Sequence, residues 1–359
     1  MSTTSKTKVE RAPFGKMPDG TEVERIVLRG AEGFEAGILP YGAVLHTLHV
    51  RDRNGQSDDI VLGHDAFDEY LAQRKFLGAT IGRYANRIAG GQFTLDGATI
   101  KLDVNNGPNM LHGGNDGFDR KLWRIVEVNE TPEPNVVMGY KSADGEGGFP
   151  GKLAARVIYS VTGPTELSVT FEATTDRPTV VNLTNHSFFN LDGARSERQI
   201  LDHRLRIVAD HFLATDATSI PLPGPPHPVA ETPFDFRELA RIGSRIRGRY
   251  EQLLRGRGYD HNYCLMPGDG VRPAARVESE ASGRVMELLT NQPGLQFYSG
   301  NFLDGTLAGK GDRLYRQSDA FCLEPQTWPD TPNRPDFPSA RLDPGRLYRH
   351  QIIYRFSLV

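Results

Sequence analysis

Apolar and polar residues alternate along most of this chain with the period of a strand buried on one face. Leu153, Ala155, Val157, Tyr159 and Val161 fall on one side of such a segment, and after Gly163-Pro164 the residues Leu167, Val169, Phe171 and Ala173 do so again. Successive side chains of a strand point to opposite faces, so this spacing predicts two neighbouring strands whose apolar faces meet a common core. Asp96-Gly97 stands between Phe93-Thr94-Leu95 and Thr99-Ile100-Lys101-Leu102 and predicts a tight hairpin, since glycine tolerates the positive φ such a turn requires. Ser282-Gly283 predicts another. At the C-terminus Tyr348, His350, Ile352, Tyr354 and Phe356 alternate with Arg349, Gln351, Ile353 and Arg355, which predicts a docked closing strand rather than a fraying end.

Helical periodicity is scarce. Phe67, Tyr70 and Leu71 predict one or two turns, and Leu239, Ile242 and Ile246 predict a second short helix that Gly243 and Gly248 weaken. The 38 glycines and 24 prolines cut the rest into short segments, which neither an internal repeat nor a linker-like change of composition divides. At about 150 residues per domain the 359 residues would allow two domains, yet large all-β folds exceed that length as single units. The pattern therefore predicts an all-β chain. Residues 13–359 are expected to form one large antiparallel β-sandwich domain with a few short helices, behind a flexible N-terminal segment of residues 1–12.

Composition narrows the partners. With 38% hydrophobic and 24% charged residues the chain has enough apolar surface for a sizeable core. Lys+Arg 42 against Asp+Glu 45 leaves a net charge of -3, and no long basic run could neutralise several phosphates, so nucleic acid is not an expected partner. The N-terminal stretch lacks an apolar signal region, and no run of about 18 apolar residues could span a bilayer. A cytoplasmic protein without a membrane partner is expected. Cys264 and Cys322 read as reduced, buried thiols, because a chain this long needs no disulfide staple.

Six segments break the alternation and gather glycines, amides and ionisable groups. They are Gly82-Arg83-Tyr84-Ala85-Asn86-Arg87-Ile88, Leu111-His112-Gly113-Gly114, Asn182 to Asn190, Gly258-Tyr259-Asp260-His261-Asn262, Gln292 to Tyr298, and Cys322-Leu323-Glu324-Pro325-Gln326 continuing to Asp330. Loops that only turn the chain have no need of such residues. The chain contains no nucleophile elbow, no phosphate-binding loop and no H-E-x-x-H pair, which removes the entry points for serine hydrolase, nucleotide and zinc-protease chemistry. Planar amides, carboxylates and guanidinium groups match vicinal hydroxyls, so a sugar-like ligand fits what remains.

These segments resemble, in order, the signatures of the aldose 1-epimerase (galactose mutarotase) family. The match runs through Gly82 to Ile88, Asn109-Met110-Leu111-His112-Gly113-Gly114 with Gly117-Phe118-Asp119, and Asn182-Leu183-Thr184-Asn185-His186-Ser187. It continues with Asp260-His261-Asn262, Gln296 to Phe302, and Leu323-Glu324-Pro325-Gln326 before Pro329-Asp330, and the likeness spans the chain from about Phe14 to the last strand. The resemblance implies a β-supersandwich of many antiparallel strands with an open cleft, no metal and no organic cofactor. It implies interconversion of the α and β anomers of a free aldose such as galactose or glucose. It also assigns His186 as general acid, Glu324 as general base and His112 as a second imidazole near the ring oxygen, with Asn86, Arg87, Asp260 and Gln296 holding the sugar hydroxyls.

Elementary chemistry asks for such a pair, because opening a pyranose removes the proton of the anomeric hydroxyl and delivers one to the ring oxygen. At ordinary pKa values of about 4.3 and about 6.5 a glutamate accepts the first proton and a histidine can supply the second. Simpler readings stand beside these. His46, His49, His64, His203, His211, His227 and His350 are expected to be structural, as is His261, which faces away from its neighbour Asp260 along a strand. Arg83 is a weaker candidate than Arg87. Trp328 and Phe297 either stack on a sugar or floor the sandwich. Two rival classes are a glycoside hydrolase using Asp260 and Glu324 and a non-catalytic sugar-binding sandwich. A phosphorylated hexose would call for a third arginine beside Arg83 and Arg87.

Overall fold

The alternating segments pair as their spacing predicts. In the computed structural model, which describes residues 8–359, Leu153–Gly163 and Glu166–Thr175 form an antiparallel pair with Val157 opposite Phe171. Leu153, Ala155, Val157, Tyr159, Val161, Leu167, Val169, Phe171 and Ala173 are all buried. The closing strand Tyr348–Leu358 docks between Glu166–Thr175 and Arg284–Thr290 and buries His350, Ile352, Tyr354 and Phe356. These strands are the centre of a nine-stranded sheet that runs from Arg124–Asn129 at one edge to Ala240–Arg241 at the other. Asp96 and Gly97 take φ of 50° and 79° and join Gln92–Leu95 to Ala98–Lys101, and the Ser282-Gly283 turn joins Arg272–Glu278 to Arg284–Thr290.

A second sheet of five strands is an N-terminal meander from Val9–Lys16 to Ser57–Asp59. Its first strand corrects the expectation of flexibility for the described part of residues 1–12. Val9 is buried, the backbone pairs with Glu22–Arg29 from Val9 opposite Leu28 onward, and Arg11 makes an ion pair with Glu24. Ladder hydrogen bonds hold a stretch whose polar composition alone suggested disorder. The rest of that expected segment, residues 1–7, lies outside the described residues.

Helices are few. Phe67–Ala72 forms where its periodicity predicts and buries Phe67 and Tyr70. The helix expected around Leu239 to Ile246 is absent: Ala240–Arg241 pairs as an edge strand with Arg204–Ile207, and only the 3-10 turn Ile242–Ser244 follows. Strand pairing at the sheet edge overrides a helical spacing already weakened by glycine. The helix Glu251–Gly256 leaves no apolar period in the sequence, since the residues it buries are Gln252, Leu253 and Gly256. Among the described residues no helix is long and apolar enough to cross a membrane.

The third sheet positions the polar motifs. Its order is His227–Pro228, Ala209–Phe212, Asp260–Leu265, Gly294–Tyr298 and Cys322–Gln326. Gln296 stands opposite both Asn262 and Glu324. The two-residue period then sorts side chains: Tyr263, Leu295, Phe297 and Leu323 turn into the main hydrophobic cluster, which takes residues from all three sheets, while Asp260, Gln296 and Glu324 share the other face. Each large apolar side chain buried on the core face contributes about 1.5–3 kcal/mol, which offsets the desolvation of the polar groups on its reverse.

Candidate active site

Asn86, Arg87, His112, His186, Asp260, Gln296 and Glu324, each carried by one of the polar motifs, line a single cleft of about 290 Å³. The strand Thr184–His186 brings in His186 by pairing with Ala79–Ile81, His186 opposite Ala79. Glu324 arrives on Cys322–Gln326. His112 sits on a turn with φ of 51°, followed by Gly113 at φ of 83°, where a Cβ would lie 1.9 Å from the Gly82 carbonyl oxygen. Only glycine fits there, which accounts for the first glycine of the His-Gly-Gly motif.

The hydrogen bonds decide the protonation of His112. The Asn86 backbone N–H donates to His112 Nδ1 at 3.1 Å. A backbone N–H has no lone pair to offer, so Nδ1 must accept and the proton of the neutral ring is on Nε2. Burial, with the neighbouring charges of His186, Arg87 and Arg74, holds the pKa of His112 well below the ordinary value. His112 is therefore a neutral hydrogen-bond donor towards the cleft. This bears on metal binding. Ligand atoms of His112, His186 and Glu324 all lie within 4.8 Å of one another, a spacing from which a cation could be held. The one lone pair on His112, however, is already committed to Asn86, so the trio as arranged is short of a ligand.

His186 Nε2 lies 3.7 Å from Glu324 Oε2. The imidazole stacks against Phe188 at 5.0 Å and Phe76 at 5.7 Å, with interplanar angles of 23° and 20°, and its Nδ1 meets the Cys322 thiol at 3.6 Å. Burial lowers its pKa to about 4. Burial, followed by the charge of Asp260, raises Glu324 well above the usual carboxylate range, against the opposing pull of Arg87. The ordinary order of the two groups is thus reversed, because desolvation disfavours both charged forms. A protonated Glu324 beside a neutral His186 carries the same single proton as a carboxylate beside an imidazolium.

Gln296 Nε2 donates to Asp260 Oδ1 at 2.7 Å, and Arg87 Nε donates to Asn106 Oδ1 at 3.0 Å. Burial raises Asp260, with Arg87 opposing, and burial lowers Arg87, with Asp260 and Glu324 opposing. Asn86, at φ of 64°, uses its Oδ1 to accept from the Arg87 backbone N–H at 2.9 Å. Among the described residues, two buried oxygens of the cleft, Glu324 Oε2 and Gln296 Oε1, have no hydrogen-bond partner. Unpartnered buried acceptors are unfavourable on their own and suit a ligand that brings hydroxyl donors.

Other motif residues build the walls. Asn182 bridges Ala85 O, Thr327 O and the Thr327 N–H, and Asn185 Nδ2 donates to Gly78 O at 2.9 Å. Arg83 turns away into Ser142, Gly151 and Ala143. His261 bonds Gln252 at 3.0 Å on the core side, and none of the seven other histidines expected to be structural lines the cleft. Phe297 is fully buried and stacks on Tyr259 at 5.2 Å, so it floors the sandwich. Trp328 donates Nε1–H to Pro293 O at 3.0 Å, packs on Phe337, and does not line the cleft. Both cysteines are unpaired, Cys322 buried and Cys264 half-buried. Phe76, Tyr298 and Phe302 also line the cleft; Tyr298 and Phe302 stand in the motif Gln296 to Phe302, whereas Phe76 lies outside every motif. Phe76 is a lone aromatic in a polar run and carries no periodic signal.

The comparisons with known proteins fit this geometry. The family model described as aldose 1-epimerase matches residues 24–355. The chain belongs to the aldose 1-epimerase family. The family's enzymes are isomerases acting on carbohydrates, and the relatives match over nearly the whole chain. A protein named galactose mutarotase from Bos taurus is 44% identical over 98% of this chain and 99% of its own, and its Homo sapiens counterpart is 43% identical over the same shares. An aldose 1-epimerase from Escherichia coli K12 is 40% identical over 94% and 96%. Among solved structures, the galactose 1-epimerase of Lactobacillus acidophilus superposes with a TM-score of 0.86 at 27% identity, covering 98% of this chain and 99% of that one. An aldose epimerase homologue from C. elegans gives 0.85 at 33%, over 93% and 99%.

Proposed function

We propose that this protein interconverts the α and β anomers of free aldoses, galactose and glucose among them, with His186 and Glu324 exchanging protons with the sugar and His112 donating a hydrogen bond beside them. The observation that carries the reading is the buried pair of His186 Nε2 and Glu324 Oε2 at 3.7 Å, two exchangeable sites facing one cleft. When the pair's single proton is on His186, the Glu324 carboxylate takes the proton of O1. The C1–O1 bond becomes a carbonyl as C1–O5 breaks, and O5 receives the proton of His186. Glu324 is then protonated and His186 neutral, the form that burial already favours. Rotation about C1–C2 presents the other carbonyl face, and the steps run backwards to the opposite anomer.

His112 can only donate through Nε2, which suits an oxygen gaining negative charge as the ring opens. Asp260, Gln296, Arg87 and Asn86 supply acceptors and donors for the remaining hydroxyls. Polarimetry on freshly dissolved α-galactose and α-glucose tests the proposal: the rotation should relax faster with enzyme, and xylose and arabinose would rank the preference. An unchanged rate, or release of the alcohol from an aryl glycoside, would overturn it in favour of a binding module or a hydrolase.

A further inference from the structure

We infer that Phe76 is a positioning residue for the proton-transfer pair: clamped through Arg74 to Asp119, its ring covers one face of His186 and holds the imidazole out of water. The inference rests on the roles proposed for His186 and Glu324. Phe76 stacks on His186 at 5.7 Å and meets His112 edge-on at 4.9 Å, so one side chain orients both imidazoles. Its backbone is left-handed, φ 58°, a conformation bulky residues adopt only where the surroundings impose it.

Those surroundings are specific. The Arg74 guanidinium lies over the Phe76 ring at 4.9 Å and grips Asp119 through Nε at 2.7 Å and Nη2 at 2.8 Å. Its Nη1 donates to Gly114 O at 2.8 Å, tying the Phe76 strap to the loop that carries His112. Phe76, with Arg74 and Lys75, lines both the cleft and a neighbouring cavity of about 160 Å³. Truncating the ring would uncover the face of His186 on which it stacks and admit water there.

The groups facing His186 are the Glu324 carboxyl at Nε2, the Cys322 thiol at Nδ1 and the His112 ring at 5.3 Å. Asp260 and Arg87 lie along the same cleft, and Arg74 and Lys75 flank Phe76. Replacing Phe76 alters none of these charges, so a changed titration would report solvation. Burial holds His186 at about 4. Water in contact with the ring moves it towards the ordinary value of about 6.5. The pair works with one proton, so the acid limb of kcat/KM, where His186 takes a second, should move upward with it.

The experiment compares wild type, Phe76→Leu, Phe76→Tyr and Arg74→Lys by kcat/KM against pH and by NMR titration of the histidine ring nitrogens. Phe76→Leu should raise the acid limb and the His186 midpoint by more than about one pH unit, Phe76→Tyr should keep the wild-type limb, and Arg74→Lys should fall between. A leucine variant that is slower but keeps both midpoints would reduce Phe76 to packing and end the inference. If the leucine variant does not fold, Arg74→Lys, which keeps the charge but loses the two-pronged grip on Asp119, carries the same test. If no protein, wild type included, accelerates mutarotation, the proposed function fails while the NMR titration still decides the part played by Phe76.

Discussion

Replacing Glu324 by glutamine separates catalysis from stability, because the structure predicts opposite signs for the two. Glutamine keeps the shape of the side chain but cannot accept the O1 proton, so kcat should fall by the roughly 10² to 10⁴ of a positioned base, about 3–5 kcal/mol of transition-state stabilisation. Stability should move the other way. Glu324 is 2% exposed, and burial raises its pKa in the fold above the unfolded value. The fold therefore binds this proton more tightly than the unfolded chain does. The carboxyl imposes no charge penalty below its unfolded pKa, and a growing one as pH rises towards the folded value. A neutral amide carries none of it, so at neutral pH the Tm of Glu324→Gln should equal or exceed that of wild type. Polarimetry with galactose and thermal unfolding followed by circular dichroism measure the two effects on one preparation. His186→Asn should lower the rate as well, and the double variant should be little worse than the slower single one, since the two groups act in one event. A near-normal rate for Glu324→Gln would refute the reasoning and move the base to Asp260, and a rate loss matched by a drop in Tm would make the carboxyl structural.

With wild-type enzyme, kcat/KM should be level through neutral pH. It should fall below about 4 as His186 gains a second proton, and again at high pH as Glu324, its pKa raised, loses the only one; a limb near 6.5 would place a wet histidine in the site. Treatment with EDTA should leave the rate unchanged, because the lone pair of His112 is engaged by Asn86; loss of activity restored by one divalent ion would make His112, His186 and Glu324 metal ligands. Lys310→Ala should cost about 3–5 kcal/mol in urea unfolding, since Lys310 Nζ donates to Asp59 at 2.6 Å and to the Val61 carbonyl at 2.8 Å in a buried pocket away from the cleft; a loss below about 1 kcal/mol would mean that the pair is effectively solvated.

Periodicity is a property of neighbours along the chain, which is why the strands Leu153–Gly163, Glu166–Thr175 and Tyr348–Leu358 and their buried faces are legible in the amino-acid sequence. The hairpin at Asp96-Gly97 is legible for the same reason, its turn being four residues of local chemistry. The polar motifs show as departures from that period, and their residue types alone indicate a hydroxyl-rich ligand. Which motif residue meets the ligand is another matter. Asn86 lines the cleft while Asn182 staples its walls, and Phe297 floors the core one position from Gln296. Face along a strand is readable, but which strand lies beside it is chosen by packing across long separations, as when Gln296 comes opposite Glu324. The ordering of Val9–Lys16 by its partner strand and the seating of Phe76 by Asp119 are tertiary in the same sense. The proton inventory depends on them most. Glutamate is ordinarily the stronger acid of the pair, and only the exclusion of water by residues distant in sequence lifts Glu324 and lowers His186, since desolvation acts through whatever surrounds a group and not through its neighbours in the chain.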